Sequence, residues 1–433
     1  MSAAAKLKRN LNDQVDIVVY EKGCEISYGA CGIPFYVADT IKEDTDLLER
    51  TAEQFAESGI DVRQYHEVIA VDTAAKTVTV RDLGQETTFT REYDTLIVAS
   101  GAGVRHIPPM DTPRDNLTSI RNVGDGTTVK NAMRDSAVKH VVVVGAGFIG
   151  LEMIEACVTH GKRVTLVEFA DHILSVMDPE MTAPLVEELH RQGVDVRTGT
   201  RVSELVCDGS LVTGVVLDQG GRQETLATDL VINCAGIAPS TGFIDVDKAP
   251  NGAILVNENM ETSAPDVYAA GDCCMMPSAV TGKHQYTPMG TNANKQGRII
   301  AELLSGKPRP DFKLIGCSAI RLFSLDAAKV GLNEADAKNW GLDVKTSLIT
   351  GNSYASYYGK DRITIKLVYD AHSRVILGAQ LVGRGVVVAR ANYYALAIRT
   401  GLTVDQFGYQ DFCYSPPFGG VWDVTLIAAN AAK

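Results

Sequence analysis

Residues 140–169 read HVVVVGAGFIGLEMIEACVTHGKRVTLVEF, and this stretch decides the fold class. A run of valines closed by a glycine turn is a buried strand of the kind found in parallel sheets covered by helices. Gly145-Ala-Gly147-Phe-Ile-Gly150 follows, then a helical segment, then a second strand, VTLVE, ending in Glu168. Gly145 permits the tight turn, Gly147 lets the backbone approach a pyrophosphate, and Gly150 lets helix and strand pack closely. The helix start then faces the phosphates. Glu168 stands where an acid accepts a ribose 2′-hydroxyl and repels a 2′-phosphate, so NADH is expected ahead of NADPH, which stays possible.

The N-terminal residues repeat the second half of this unit. AAAKLKRNLNDQVDIVVYEKG, residues 3–23, reads as helix, short loop, strand and acid, with Glu21 in the place of Glu168. Aligning the two acids puts the counterpart of Gly145 before the first residue, so a first strand and its glycine loop are expected to be absent. A start read at an internal methionine is the favoured explanation, because the sheet is otherwise incomplete. Two dinucleotide units imply FAD beside the nicotinamide nucleotide.

Later segments fit the same plan. Tyr93–Ala102 reads as a buried strand ending in the small-residue turn Ala99-Ser100-Gly101, and Gly236 follows another strand. TSAPDVYAAGD, residues 262–272, ends in Gly271-Asp272, whose carboxylate could accept from a ribityl hydroxyl or simply close a turn. PMGTNANKQGRIIAELLSG, residues 288–306, is a Pro-led helix start containing Thr291, with its positive dipole end free to face a flavin edge. From about residue 316 the strands ITIKLVYD and RVILGAQLVG and a helix near 386–400 make a mixed tail suited to dimerisation.

Composition narrows the class. A chain of 433 residues calls for two or three domains. A formal charge of −12 speaks against a nucleic-acid binder, and no apolar run is long enough to span a bilayer. The start lacks a secretory core, so a cytoplasmic location is expected. Nine cysteines stand at scattered spacings without a CxxC pair, so most are expected to be reduced thiols, and no metal site is expected.

In order along the chain, Glu21-Lys-Gly, SYGACGIPF around Cys31, the Gly145 fingerprint, YAAGD at 268–272 and GTNANKQGR at 290–298 resemble the pyridine nucleotide-disulfide oxidoreductases. The likeness is greatest to the single-cysteine branch holding coenzyme A-disulfide reductases, NADH oxidases and NADH peroxidases. It implies an α/β fold with two Rossmann-like domains and a C-terminal α+β dimerisation domain. The expected boundaries are 1–107 with 241–315 for FAD, 108–240 for NAD(P)H, and 316–433 for the interface. It also implies a homodimer with a shared active site; from the sequence itself no fused rhodanese-like module is expected after residue 433.

The resemblance makes Cys31 the redox cysteine, with a thiol of lowered pKa beside the flavin and a helix N-terminus. Cys24 does not have the spacing of a resolving partner. Phe148 aligns with an aromatic that shields the flavin, Ile149 lies in the same turn, and Glu152 aligns with a residue that holds the carboxamide. DFCYSPPFGGVWD, residues 411–423, is similar to the segment whose tyrosine, here Tyr414, comes from the other subunit and protonates a leaving coenzyme A thiolate. Gly419 departs from the serine frequent there. Tyr357 or Tyr358 would be a second tyrosine, and Lys8 and Arg9 fall where basic residues meet coenzyme A phosphates or line a solvated helix face.

The implied activity is FAD-dependent reduction of a coenzyme A disulfide or persulfide by NAD(P)H. Two rivals remain: an NADH oxidase or peroxidase working through a Cys31 sulfenic acid, and a non-catalytic, redox-sensing dinucleotide binder.

Overall fold

The computed structural model describes all of residues 1–433. The valine strand sits at the centre of a five-stranded, all-parallel sheet. Its order is Asp195–Arg197, Arg163–Val167, His140–Val144, Leu230–Asn233, Leu117–Ser119. Alternate side chains explain why every position of this strand is buried. Val141 and Val143 enter a core with Leu151, Ile154 and Leu166, while Val142 and Val144 face Val215 and Val231 on the other side. The helices Phe148–Thr159 and Pro179–Arg191 and an antiparallel three-stranded meander, residues 201–227, cover the sheet.

The first unit has the same outer strands in two separate pairs. Val18–Tyr20 pairs in parallel with Asp61–Arg63, as Arg163–Val167 does with Asp195–Arg197. Leu96–Val98 pairs in parallel with Val267–Ala269. No strand of the chain stands between these pairs in the position that His140–Val144 takes in the other unit. The expected helix is present as Ser2–Leu11 and packs on Gly290–Leu304, where a Cβ on Gly297 would come within 3.1 Å of the Ala3 nitrogen.

The tail is an antiparallel five-stranded sheet ordered Cys317–Leu322, Leu325–Gly331, Ile376–Gly383, Arg362–Asp370, Val344–Asn352. Its helix, Val387–Thr400, buries Val387, Ala391 and Tyr394 against the sheet.

A buried ion cluster pins this sheet to the parallel-sheet unit. The Lys366 ammonium, 3% exposed, lies 2.9 Å from Asp178 and 2.7 Å from Glu334, and also pairs with Glu180. Gln380 exchanges two 2.6 Å hydrogen bonds with Asp178, accepting from its backbone and donating to its carboxylate. Burial pushes the Asp178 carboxyl up, but Lys366 and Gln380 outweigh it and hold it below the ordinary range. Burial opposes the Lys366 charge as well, yet its three carboxylates raise it above the usual lysine value.

Removing one partner leaves a buried charge unpaired, so Lys366→Met is expected to cost about 3 kcal/mol in denaturant unfolding at neutral pH. The depressed Asp178 contributes above roughly pH 4, its unfolded value, and that contribution is lost as pH falls through its folded value. The gap between wild type and variant should therefore narrow in acid; a gap constant down to pH 3 would contradict this account.

Candidate active site

The glycine turn has the geometry that its spacing implies. Gly145 sits at φ +103°, and a Cβ there would lie 2.4 Å from the Cys234 carbonyl oxygen. A Cβ on Gly150 would lie 1.9 Å from the Gly145 carbonyl oxygen, so helix and strand touch only because both residues are glycine. Nothing stands within 4 Å of where a Gly147 Cβ would be, leaving open space over the start of the Phe148–Thr159 helix. Glu168 braces this turn: its carboxylate accepts from the Ala146 nitrogen at 2.6 Å and the Ala170 nitrogen at 2.7 Å. The open turn, the free helix start and the adjoining carboxylate fit a nicotinamide dinucleotide.

The two dinucleotide units meet at a crossover. Ala102–Val104 pairs antiparallel with Ile237–Pro239, which sets the turn at Ala99-Ser100-Gly101 beside Ser240 and leaves Gly236 at the other end of the pair, beside Arg105. Ser100 Oγ donates to the Ser240 carbonyl at 2.6 Å, and the Gly101 carbonyl accepts from the Ser240 nitrogen.

Cys31 lies on the short turn Ala30–Gly32 that runs into the helix Ile33–Val37. The turn is fixed from below: the Gly29 nitrogen donates to the Leu47 carbonyl at 2.8 Å, and a Cβ on Gly32 would strike the Leu47 side chain at 2.6 Å. Ile33, Tyr36 and Val37 anchor the helix in the core while Cys31 itself stays exposed. Its protein surroundings push against the lowered pKa that the resemblance implies. Partial burial raises the Cys31 pKa, and the charges of Glu152 and Asp272 raise it further. No cation faces the thiol, and a five-residue helix supplies little dipole.

These same influences bring Cys31, Glu152 and Asp272 into one neighbourhood from three distant parts of the chain. Burial, with Glu155 adding to it, pushes the Glu152 carboxyl up to about 7. Above that pH the carboxylate opposes ionisation of Cys31; below it Glu152 is neutral. Glu152→Gln should therefore speed iodoacetamide labelling of Cys31 a few-fold at pH 8 and leave it unchanged near pH 5.5. Equal rates at pH 8 would remove Glu152 from the thiol's surroundings.

Asp272 follows Gly271, which is at φ +86° and whose nitrogen donates to Gln296 Oε1 at 2.7 Å. Burial raises the Asp272 carboxyl, with Arg121 pulling the other way. The Tyr286 hydroxyl donates to the Asp272 carbonyl at 2.8 Å. On either side of Tyr286, Gln285 Oε1 and Thr287 Oγ1 are buried without a hydrogen-bond partner, as is Arg121 Nε. Buried polar atoms rarely go unmatched, so these suit the polar arms of a flavin. Thr291 stands exposed in the first turn of Gly290–Leu304. The pyrophosphate end differs: Glu21, whose carboxylate accepts from the Gly23 nitrogen at 2.7 Å, has no glycine turn beside it among these residues.

Lys8 points elsewhere than toward a phosphate. Its amine donates to the Val15 carbonyl at 3.4 Å and lies 3.7 Å from Asp13, and its stem covers Gly59. Lys8 thus has partners at its own helix end, whereas Arg9 is exposed. Of the two adjacent tyrosines, Tyr357 is the one in contact with Tyr414. The Tyr357 and Tyr414 hydroxyls are 3.1 Å apart, and neither makes another hydrogen bond. Tyr358 instead packs edge-on against Tyr354. Both paired phenols are exposed, and the bond to Tyr357 raises the Tyr414 pKa. Two other residues, Arg121 and Arg390, carry no motif and become visible only in three dimensions.

Comparison with known proteins agrees with this architecture. The family model described as pyridine nucleotide-disulphide oxidoreductase matches residues 1–297, and the dimerisation-domain model of the same family matches residues 317–424. An NAD(P)H sulfur oxidoreductase (CoA-dependent) of Pyrococcus furiosus is 34% identical over all of this chain and 96% of its own length. An NADH oxidase of Enterococcus faecalis is 32% identical over 97% of this chain and 94% of its own. Among solved structures, reduced CoADR-RHD of Bacillus anthracis superposes with a TM-score of 0.94 at 31% identity, over 99% of this chain and 77% of that one.

Proposed function

The chain belongs to the pyridine nucleotide-disulphide oxidoreductase family, and from that premise we propose that it reduces a coenzyme A disulfide or persulfide through Cys31. FAD and NAD(P)H are the cofactors of the family, and bound flavin carries the two electrons from the nicotinamide to the sulfur centre. The observation that carries the reading is the exposed phenol pair, Tyr357 with Tyr414. A departing coenzyme A thiolate needs a proton, and an exposed phenol can supply one.

In this reading Cys31 attacks one sulfur of the disulfide, forming a mixed disulfide as the original S–S bond breaks. The departing coenzyme A thiolate takes its proton from Tyr414 of the partner subunit, with Tyr357 holding that phenol in place. Two electrons then break the mixed disulfide and release a second thiol, so one NADH and one proton yield two thiols. Glu152 and Phe148 stand at the start of the nicotinamide-site helix, where they would orient the carboxamide and gate access. Gly145, Gly147, Ile149 and Gly150 hold the dinucleotide, and Glu168 accepts from its ribose. On the flavin side, Glu21, residues 99–101, Gly236, Gly271, Asp272 and Thr291 are the assigned contacts. Arg9 is the better placed of the two N-terminal basic residues for a coenzyme A phosphate. Residues 1–107 with 241–315, 108–240 and 316–433 are assigned as the flavin, nicotinamide and dimer units.

The similarity to NADH oxidases supports a second reading, in which Cys31 cycles as a sulfenic acid against oxygen or peroxide. Flavin-loaded protein under strict anaerobiosis separates the two. NADH consumption that requires coenzyme A disulfide and releases two thiols per NADH is expected. Turnover only on admitting air or peroxide would replace the first reading with the second.

A further inference from the structure

We infer that Arg390 is a positioning residue for the phenol pair: its buried guanidinium ties together the two surface segments that carry Tyr357 and Tyr414. The inference rests on the reading that this pair protonates the departing thiolate.

Arg390 lies in the first turn of Val387–Thr400 and is 2% exposed, although the phenols it serves are at the surface. Its Nη1 donates to Ser353 Oγ at 2.9 Å, and its Nη2 donates to the Ser353 carbonyl at 2.8 Å. Nη2 also reaches the Phe418 carbonyl at 3.0 Å. Nε and Nη2 together grip the Asp423 carboxylate at 2.8–3.2 Å. Ser353 stands four residues before Tyr357, and Phe418 four residues after Tyr414. One planar group therefore holds the root of each segment, and the Ala355 nitrogen adds a direct 3.3 Å link to the Pro416 carbonyl. Asp423 in turn accepts from the Thr425 nitrogen at 2.9 Å, fixing the start of Val424–Asn430.

The surroundings leave these roots no other seat. A Cβ on Gly385 would lie 2.4 Å from Ser353 Oγ, and one on Gly419 would lie 3.1 Å from the Asp423 carboxylate. Beyond the roots the segments run out into solvent, with Tyr357 76% exposed. A single hydrogen bond between two exposed phenols, competing with water, is too weak to hold two chain segments in register. The guanidinium fork can, because its donors are fixed in one plane; a lysine in its place offers a single point charge.

The test compares wild type with Arg390→Lys and Arg390→Met. Arg390→Lys is expected to keep NADH-driven dye reduction, which bypasses the phenols, while kcat for coenzyme A disulfide falls about tenfold or more with KM changed less than twofold. The alkaline limb of its kcat profile should move to lower pH, because Tyr414 loses the bond that raises its pKa. Hydrogen exchange should quicken across residues 353–359 and 414–419 and stay unchanged in the parallel-sheet unit. Arg390→Met should show the larger effects. An Arg390→Lys variant with wild-type kcat, pH profile and exchange in these segments would overturn the inference. Should wild type itself lack disulfide turnover, the proposed function fails, and exchange alone then decides whether Arg390 orders the pair.

Discussion

Cys31→Ser should abolish NADH-driven disulfide reduction, with a loss on the order of 10³-fold or more, because a hydroxyl can neither form the mixed disulfide nor return it by two-electron reduction. The substitution lies on an exposed turn whose anchors are Ile33, Tyr36 and Val37, so folding and nucleotide binding should survive. The measurement is anaerobic NADH oxidation with coenzyme A disulfide, set beside NADH-driven dye reduction in the same sample. Loss of the first with retention of the second is expected. A Cys31→Ser protein that still reduces the disulfide would move the sulfur chemistry to another cysteine, of which Cys24, Cys317 and Cys413 are exposed.

Tyr414→Phe is expected to lower kcat for disulfide about 10²-fold, the usual contribution of a positioned proton donor. Tyr357→Phe removes only the support and should cost less. The sign of the pH effect follows from the pair: the Tyr357 bond raises the Tyr414 pKa, so the phenol keeps its proton throughout the neutral range. Activity should fall only above the ordinary tyrosine pKa, near pH 10. In Tyr357→Phe that fall should begin at lower pH. Equal kcat for Tyr414→Phe and wild type would assign protonation of the thiolate to solvent and weaken the coenzyme A reading.

Several features were legible because they are local. A run of valines and a glycine turn announce a buried strand that turns tightly into a helix, since strand hydrophobicity and glycine's conformational freedom act on the local backbone. Gly150 is such a case, a Cβ there meeting the Gly145 carbonyl oxygen of the same turn, whereas the space at Gly145 is closed by Cys234, just past the neighbouring strand Leu230–Asn233. The N-terminal half-unit was equally readable, and its outer strands pair as its twin's do.

Other features depend on groups far apart in the sequence. Cys31 resembled a low-pKa thiol by motif, yet its ionisation is set by burial and by Glu152 and Asp272, which only folding brings near. Lys8 looked free on a helical face until Val15 and Asp13 took its amine.

By itself the sequence determined the α/β class, the nucleotide unit and the family, because glycine spacing and strand hydrophobicity act through local backbone geometry. Only the tertiary structure put Tyr357, and not Tyr358, against Tyr414, brought Glu152 and Asp272 near Cys31 and revealed Arg390. Those outcomes rest on hydrogen bonds and charges between distant segments, and their distances exist only once the chain has packed.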